Sequence, residues 1–444
     1  MANSDRGARG AALNGLKRVI AGKAYADIAL EAALSGLNEA DRMLATELLY
    51  GVLRWLIKID WIIDSFSAIK TKKLEHSVLN VLRIGVYQLY FLTRIPARSA
   101  VDESVNLVDG KKRAGFVNAV LRKAASNKET VAYPPFEEDP ARHVSIMHSH
   151  PEWMVRRWIG RYGLSATVEL CKANQSIPPK TIRANTLLTS RDALAAELAG
   201  DGLEVKETAC SPDGITVSTG GRLDPLDPRF YIQDEASQLI PRILSPSPGE
   251  AILDACSAPG GKTTHMAQLM GDSGLIRAID RNRVRIKSVQ EAAKRLGITI
   301  IDTLVADAGR PMAFGEGIAF DGILVDAPCS GLGVLRRNPD IKMRRRPEDI
   351  TELSARQAEI LDNAAGYLKK GGRLVYSTCT FEPEETDEII RLFLDGHRDF
   401  ALDDAAKYLP KECAALIDRS GFLRTFPHLH AMDGFFAARL RRIR

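Results

Sequence analysis

The segment Asp254-Ala255-Cys256-Ser257-Ala258-Pro259-Gly260-Gly261-Lys262-Thr263 follows the apolar run Ala251–Leu253, and its reading decides the fold. Further apolar runs lie at Leu275–Ile279, Thr303–Val305, Gly322–Val325 and Leu374–Tyr376. Helical stretches such as Val284–Leu296 and Ser354–Leu368 separate them. Strands alternating with helices predict an α/β, Rossmann-like fold: a doubly wound, mostly parallel sheet covered on both faces. Ligands of such sheets sit at the carboxyl ends of the strands. Here each exit carries an acid: Asp254, Asp280, Asp307 and Asp326.

The glycine-rich turn is not a phosphate-cradling Walker loop, because position 256, where the first glycine should stand, is Cys256. Nor does it follow the GxGxxG dinucleotide pattern. Gly260 and Gly261 lack a Cβ and let backbone approach a ligand closely. An acid ending the second strand, Asp280, is suited to ribose hydroxyls. The combination predicts a nucleoside-bearing cofactor that needs no polyphosphate.

Two exits also carry thiols: Asp326-Ala327-Pro328-Cys329-Ser330-Gly331 and Ser377-Thr378-Cys379-Thr380. A buried cysteine is often only a small hydrophobe. Two at one sheet edge suit a definite chemistry. Carbon 5 of cytosine is a poor nucleophile until a thiolate has added to carbon 6, and covalent catalysis of this kind splits one hard step into easier ones. Asp326 could hold the exocyclic amine and nitrogen 3, which would require it to share a proton. Amine-methylating enzymes use a polar–Pro–Pro–aromatic turn, whereas this slot reads Asp326-Ala327-Pro328-Cys329. The residues alone do not say which thiol adds and which assists.

Upstream, residues 1–140 read as an all-α domain, with helical spacing at Ile28, Leu30 and Leu34, at Leu44, Leu48, Leu49 and Leu53, and at Leu79, Leu82, Val86 and Leu89. Breaks are expected at Gly36, Thr71–Lys73 and Pro96, and a linker at Tyr133–Pro140. Residues 141–232 suggest a small α+β module: helices over Trp153–Leu170 interrupted near Gly163, a strand at Thr181–Asn185, a helix at Ser190–Leu198, and strands at Val205 and Ile215–Val217. Residues 233–444 form the α/β domain.

A chain of 444 residues exceeds one ordinary domain of roughly 100–200. The apolar fraction of 45% and charged fraction of 26% describe a globular protein. No stretch is apolar for the ~20 residues of a membrane helix. Met1–Gly15 lacks an apolar signal core, so a cytoplasmic location is expected. The six cysteines make no CxxC and no zinc-ligand spacing, so no metal is expected and the thiols should be reduced.

Asp254–Thr263, Asp280, Asp307, Asp326–Gly333 and Ser377–Cys379 together resemble the RNA cytosine-5 methyltransferases. Asp433-Gly434-Phe435-Phe436 resembles that family's last strand. Ala24–Leu30, Asp41–Leu53, Leu82–Leu92 and Val117–Lys123 resemble the NusB-like RNA-binding domain. The combination is similar to the Sun/Fmu (RsmB) branch, which methylates 16S ribosomal RNA. The resemblance implies a class I methyltransferase domain using S-adenosyl-L-methionine. It implies that Cys256, Ser257, Ala258, Pro259, Gly260, Gly261 and Lys262 wrap the cofactor. Asp280 would bind its ribose, Asp307 would lie by the adenine, and Asp326 would sit between methyl donor and cytosine. It also ranks the thiols, with Cys379 as nucleophile and Cys329 assisting release. Ser257 departs slightly from the family, where alanine is common.

For RNA, the basic run after the Pro-Cys turn offers Arg336, Arg337, Lys342 and Arg344, followed by Arg345 and Arg346, as phosphate contacts. Arg183 and Asn185 are further candidates, and Lys111, Lys112, Arg113, Arg122 and Lys123 form a basic group on the helical domain. With only 6% aromatics, recognition should rest on shape and backbone contacts plus one extracted base. The expected partner is 16S ribosomal RNA or a small-subunit assembly intermediate. Alternatives are a noncatalytic RNA-binding or ribosome-assembly factor, or a methyltransferase on another RNA or DNA base.

Overall fold

The structure, a computed structural model, describes residues 7–218, 223–312, 314 and 319–444. They divide into two compact units: Met1–Ser176 with Leu335–Arg345, and Ile177–Val334 with Arg346–Arg444.

The first unit is built from helices α1 (Ala8–Ile20), α2 (Ala26–Ala33), α3 (Glu39–Arg54), α4 (Leu56–Phe66), α5 (His76–Phe91), α6 (Ala97–Val105), α7 (Lys111–Ser126), α8 (Pro140–Met147) and α9 (Glu152–Gln175). Local chemistry sets their ends. Asn38 accepts the Asp41 backbone N–H at 2.9 Å and starts α3. The expected breaks appear as Gly36 at φ 78°, a short turn at Thr71–Lys73 and Pro96 leading α6. Gly163, at φ 78° and ψ 167°, interrupts α9 as expected. Leu48, Leu49, Val52, Leu79, Leu82 and Val86 are buried together in one core, but Ile28 is exposed. Helix α5 runs through that core, and its Arg83 is neutralised by Asp60 across a 2.6 Å ion pair.

The second unit begins with an antiparallel sheet of β1 (Lys180–Ala184), β2 (Val205–Glu207), β3 (Gly214–Val217) and β4 (Phe230–Ile232), ordered β2-β3-β1-β4. Helix α10 (Arg191–Gly200), capped by Ser190, packs Leu194 and Leu198 with Ile182, Ile215 and Phe230. Helix α11 (Glu235–Leu244) leads into the large sheet. Its members are β5 (Ala251–Asp254), β6 (Leu275–Asp280), β7 (Ile301–Val305), β8 (Phe320–Asp326), β9 (Leu368–Thr378), β10 (Phe400–Asp403), β11 (Leu423–Arg424) and β12 (Phe436–Arg442). Helix α12 (Gly261–Leu269) follows β5, and α13 (Arg283–Leu296) follows β6.

The strand order is β10-β12-β9-β8-β5-β6-β7, with β11 beside β12. The run β9-β8-β5-β6-β7 is parallel, and β12 joins β9 antiparallel. This is the expected Rossmann-like, doubly wound, mostly parallel sheet. Period-two alternation sends Ile323, Val325, Leu374 and Tyr376 to one face and Leu324 and Val375 to the other, where separate helical layers cover them. The expected helix at Ser354–Leu368 spans Pro347–Ala365 instead, because Pro347 in the first turn and the Asp349 carboxylate, which accepts the Arg346 N–H at 3.0 Å, start it earlier. Leu368 already belongs to β9. From β5 the chain winds outward through β6 and β7, then returns to β8 on the other side. The topological switch therefore lies between β5 and β8, whose carboxyl ends, Asp254 and Asp326, stand where such sheets bind their ligands.

Candidate active site

The loop between β5 and α12 turns sharply because Gly260 takes φ 108°. A Cβ there would lie 3.1 Å from the Val289 Cα, and one on Gly261 would lie 3.1 Å from the Tyr231 ring. Ser257 is pinned to the Ile279 carbonyl by its N–H at 2.9 Å and its hydroxyl at 3.0 Å. Arg285 donates to the Ala258 carbonyl at 2.8 Å. Beneath the loop, Thr263 donates to Asp254 Oδ2 at 2.7 Å, while Oδ1, also buried, has no partner among the described residues. Burial and the nearby Asp326 charge push the Asp254 carboxyl up to about 7. Burial likewise pushes the Cys256 thiol well up, with Asp254, Asp326 and Asp280 adding to the effect, so this cysteine is poorly reactive.

The other acids at the strand exits are partly committed. Asp280 Oδ1 accepts the Asn282 N–H at 2.8 Å, and among the described residues Oδ2 has only a distant Arg285 at 3.9 Å. Asp307 is paired with Arg356 and accepts the Gly309 N–H at 3.1 Å.

Parallel pairing of β8 with β9 sets Asp326 opposite Ser377. Both strands then exit on the same side, which brings Cys329 Sγ and Cys379 Sγ to 3.2 Å. The Cys379 contact and burial hold the Cys329 thiol well above its ordinary range. A close backbone crossing fixes the pair. Gly333 N–H donates to the Cys379 carbonyl at 3.0 Å, and Gly434 N–H donates to the Gly333 carbonyl at 2.8 Å. Asp433–Phe435 thus form the turn that locks this crossing, and β12 begins only at Phe436.

Asp326 receives a donor on each oxygen: Lys262 Nζ at 2.7 Å on Oδ2 and the Ser377 hydroxyl at 2.7 Å on Oδ1. Burial works against the Lys262 ammonium, but the Asp326 carboxylate more than offsets it and holds the pKa above its ordinary value. The Lys262 ammonium is therefore a proton donor held against Asp326. Phe435 covers the ammonium with its ring centroid 5.0 Å away. Sequence reasoning placed Lys262 in the cofactor loop but missed this pairing, and it gave Ser377 no role.

Comparison with known proteins bears on this arrangement. The family described as 16S rRNA methyltransferase RsmB/F matches residues 241–441, the NusB family matches 6–126, and the RsmF/B-like ferredoxin-like domain matches 150–224. The probable ribosomal RNA small subunit methyltransferase B of Bacillus subtilis is 38% identical over 98% of both chains. The chain belongs to the RsmB/F family of 16S rRNA methyltransferases. Among solved structures, PH0851 aligns at a TM-score of 0.80 with 26% identity, covering 97% of this chain and 98% of that one. A methyltransferase homolog from Pyrococcus horikoshii aligns at 0.59 with 28% identity, covering 68% of this chain and 99% of its own.

Within this RsmB/F-type chain, the basic residues divide sharply. Arg336 and Lys342 are only 3% and 2% exposed. Lys342 Nζ donates to the Arg54 carbonyl, and Arg54 in turn donates to the Arg336 carbonyl at 3.0 Å. Arg344 donates to the Ala24 carbonyl and stacks over Tyr25 at 4.7 Å. The phosphate-facing role expected of this run is corrected for Arg336 and Lys342: both are buried, and the Lys342 ammonium and the Arg336 carbonyl are bonded to Arg54. Arg337 is half-buried. Arg183 is fully buried, spanning Gln268 at 2.9 Å, the Gly261 carbonyl at 2.6 Å and Thr264 at 3.0 Å, and bonding Gln233 as well. Asn185 is buried between the Pro228 and Leu296 carbonyls, so neither it nor Arg183 faces RNA. Lys111, Lys112, Arg113, Arg122 and Lys123 are exposed on α7. Among the described residues no helix is long and apolar enough to cross a membrane.

Proposed function

We propose that this methyltransferase moves a methyl group from S-adenosyl-L-methionine to carbon 5 of a cytosine in 16S ribosomal RNA, through a covalent bond between Cys379 and carbon 6. The observation that carries the reading is the pair of thiols 3.2 Å apart, beside an Asp326 paired with Lys262. The cofactor loop suits a nucleoside ligand. Its two glycines leave a cradle that a Cβ would crowd, Asp254 Oδ1 offers an unmet buried acceptor, and Asp280 Oδ2 keeps capacity for a ribose hydroxyl. Backbone groups of Cys256–Lys262 would hold the cofactor, with Asp307 beside the adenine, which requires Arg356 to share its carboxylate.

Bound S-adenosyl-L-methionine supplies an electrophilic methyl group on a sulfonium. The Cys379 thiolate adds to carbon 6, forming a carbon–sulfur bond and moving the ring's electron pair toward carbon 5. Asp326 accepts from the exocyclic amine with its remaining lone pairs, and the Lys262 ammonium is the nearest proton for nitrogen 3. Carbon 5 would use the ring's electron pair to take the methyl group, and the electrons of the broken methyl–sulfur bond would stay on the donor's sulfur, leaving a neutral thioether. When a base removes the carbon 5 proton, the C–H pair restores the ring double bond and the carbon 6–sulfur pair returns to Cys379. Cys329, kept as a thiol, donates to the departing thiolate and so assists release. The substrate is 16S ribosomal RNA, naked or in a small-subunit assembly intermediate, and the enzyme is cytoplasmic.

The test is methyl transfer to ribosomal RNA from cells lacking the enzyme. Cys379→Ala should abolish product, and Cys329→Ala should accumulate a covalent enzyme–RNA adduct. Exchanged phenotypes would reverse the roles.

A further inference from the structure

Beneath the Pro-Cys turn lies a buried polar cluster that the mechanism does not use. Glu385, 0% exposed, sits just after β9 in the turn Pro383–Glu385. Its Oε1 accepts the Ser330 N–H at 2.8 Å and the Gln357 amide at 2.9 Å. Its Oε2 accepts the Ser330 hydroxyl. The same Gln357 amide donates to the Pro328 carbonyl at 3.0 Å. Tyr376, also fully buried, donates to the Glu385 carbonyl at 2.7 Å and lies 2.9 Å from Gln357 Oε1. The residues on both sides of Cys329, Pro328 and Ser330, are therefore gripped by one carboxylate and the amide it orients. Cys379 leaves the adjacent strand, and its neighbour Thr380 meets the cluster through its hydroxyl, 3.0 Å from that of Ser330, and through a hydrogen bond to Glu385.

Burying a carboxylate is costly unless its oxygens are satisfied. Packing a turn would not require one, since a neutral or apolar group could fill the space. A fixed, two-oxygen acceptor is instead suited to holding a backbone N–H and a hydroxyl in one geometry. We propose that Glu385 is a positioning residue for Cys329, holding its thiol against Cys379 so that the covalent RNA adduct is released. This rests on the reading above, in which Cys329 assists release. Glu385 is fully buried and acts through Ser330, Gln357 and the turn.

The experiment uses the full-length protein with ribosomal RNA and S-adenosyl-L-methionine. It compares Glu385→Ala, Glu385→Gln and Ser330→Ala, with Cys329→Ala as reference and thermal melting to confirm folding. Two quantities are read: methyl transfer in a single turnover, and the RNA-linked protein that survives denaturation. Glu385→Ala should keep single-turnover transfer within about threefold while multiple turnover falls about tenfold or more, with adduct accumulating. Glu385→Gln, which retains an oxygen acceptor for the Ser330 N–H and Gln357, should restore release to near the wild-type rate. Ser330→Ala should fall between them. Iodoacetamide labelling read by mass spectrometry, compared at Cys329 and Cys379, checks the geometry without catalysis: only Cys329 should change in Glu385→Ala. If Glu385→Ala loses transfer and release equally, or labelling changes alike at both thiols, the residue is merely structural and the proposal is overturned. If Cys329→Ala gives no adduct, the underlying reading fails, and a selective change in Cys329 labelling still separates that failure from failure of the positioning role.

Discussion

Replacing Gly333 by alanine tests the crossing that sets the two thiols together. An added Cβ would lie 1.9 Å from the Gly434 carbonyl oxygen and 2.9 Å from the Cys379 carbonyl oxygen. Both obstacles are backbone, so no side chain can swing away. Restoring ordinary contact requires about 1.5 Å of displacement between the turns that carry Cys329 and Cys379. The bonds from Gly333 N–H to Cys379 and from Gly434 N–H to Gly333 would be stretched by that movement. Overpacking of this kind costs about 1–3 kcal/mol of stability. A misplacement of about 1 Å at reacting groups costs on the order of a hundredfold in rate, or about 2.7 kcal/mol of activation free energy. Gly333→Ala should therefore lower kcat for methyl transfer about a hundredfold, with a folded protein by circular dichroism and a lowered urea midpoint. Gly115→Ala is the control. It lies in α7, where a Cβ meets nothing within 4 Å, and it should leave kcat unchanged and stabilise slightly. A Gly333→Ala enzyme with kcat within twofold of wild type would refute the claim that this backbone contact sets the thiol geometry.

Asp254 is an acid whose folded pKa, about 7, lies above its ordinary 3.8, so the native state keeps a proton that the unfolded chain loses. Its contribution is fully present below about pH 4 and is lost as pH rises toward 7, an effect of a few kcal/mol at most. Asp254→Asn should flatten the pH dependence of urea stability across that window, and an unchanged slope would contradict the assignment. Among the described residues Arg183 has no carboxylate hydrogen-bond partner, yet four groups depend on its guanidinium. Arg183→Met should cost about 2–4 kcal/mol by leaving buried acceptors unmet and raise KM for the methyl donor, and Arg183→Lys should rescue poorly because it lacks the fork. Isothermal titration and thermal melts would check both. Lys342→Met, by contrast, should leave RNA affinity and its salt dependence unchanged, since the ammonium is bonded to Arg54 within the helical unit. A fall of about one in the slope of log affinity against log salt would restore the phosphate contact.

Much of this was legible from sequence because it is local. Strand exits, the glycine turn and the alternation in β8 and β9 all read directly along the chain. The short strands β4 and β10 were not: β5 is no longer than β10, but the Asp254–Thr263 turn marks its end, and neither β4 nor β10 has such a marker. The thiols could be assigned to one edge, but their closeness depends on the register of Asp326 with Ser377, which only pairing sets. The pairing of Lys262 with Asp326 joins residues 64 apart, and Glu385 reaches Ser330 across 55. Charge misled in the run after the Pro-Cys turn. Lys342 reads as solvent-facing until the segment Leu335–Arg345 is found folded into the helical unit.

The most direct test of the whole account is the chemical identity of the product. Ribosomal RNA methylated by the purified enzyme, digested to nucleosides and analysed by mass spectrometry against standards, should contain 5-methylcytidine, and Cys379→Ala should give none. Methylation on the exocyclic nitrogen, on the ribose or on another base would contradict the account, as would 5-methylcytidine made without the Cys379 thiol.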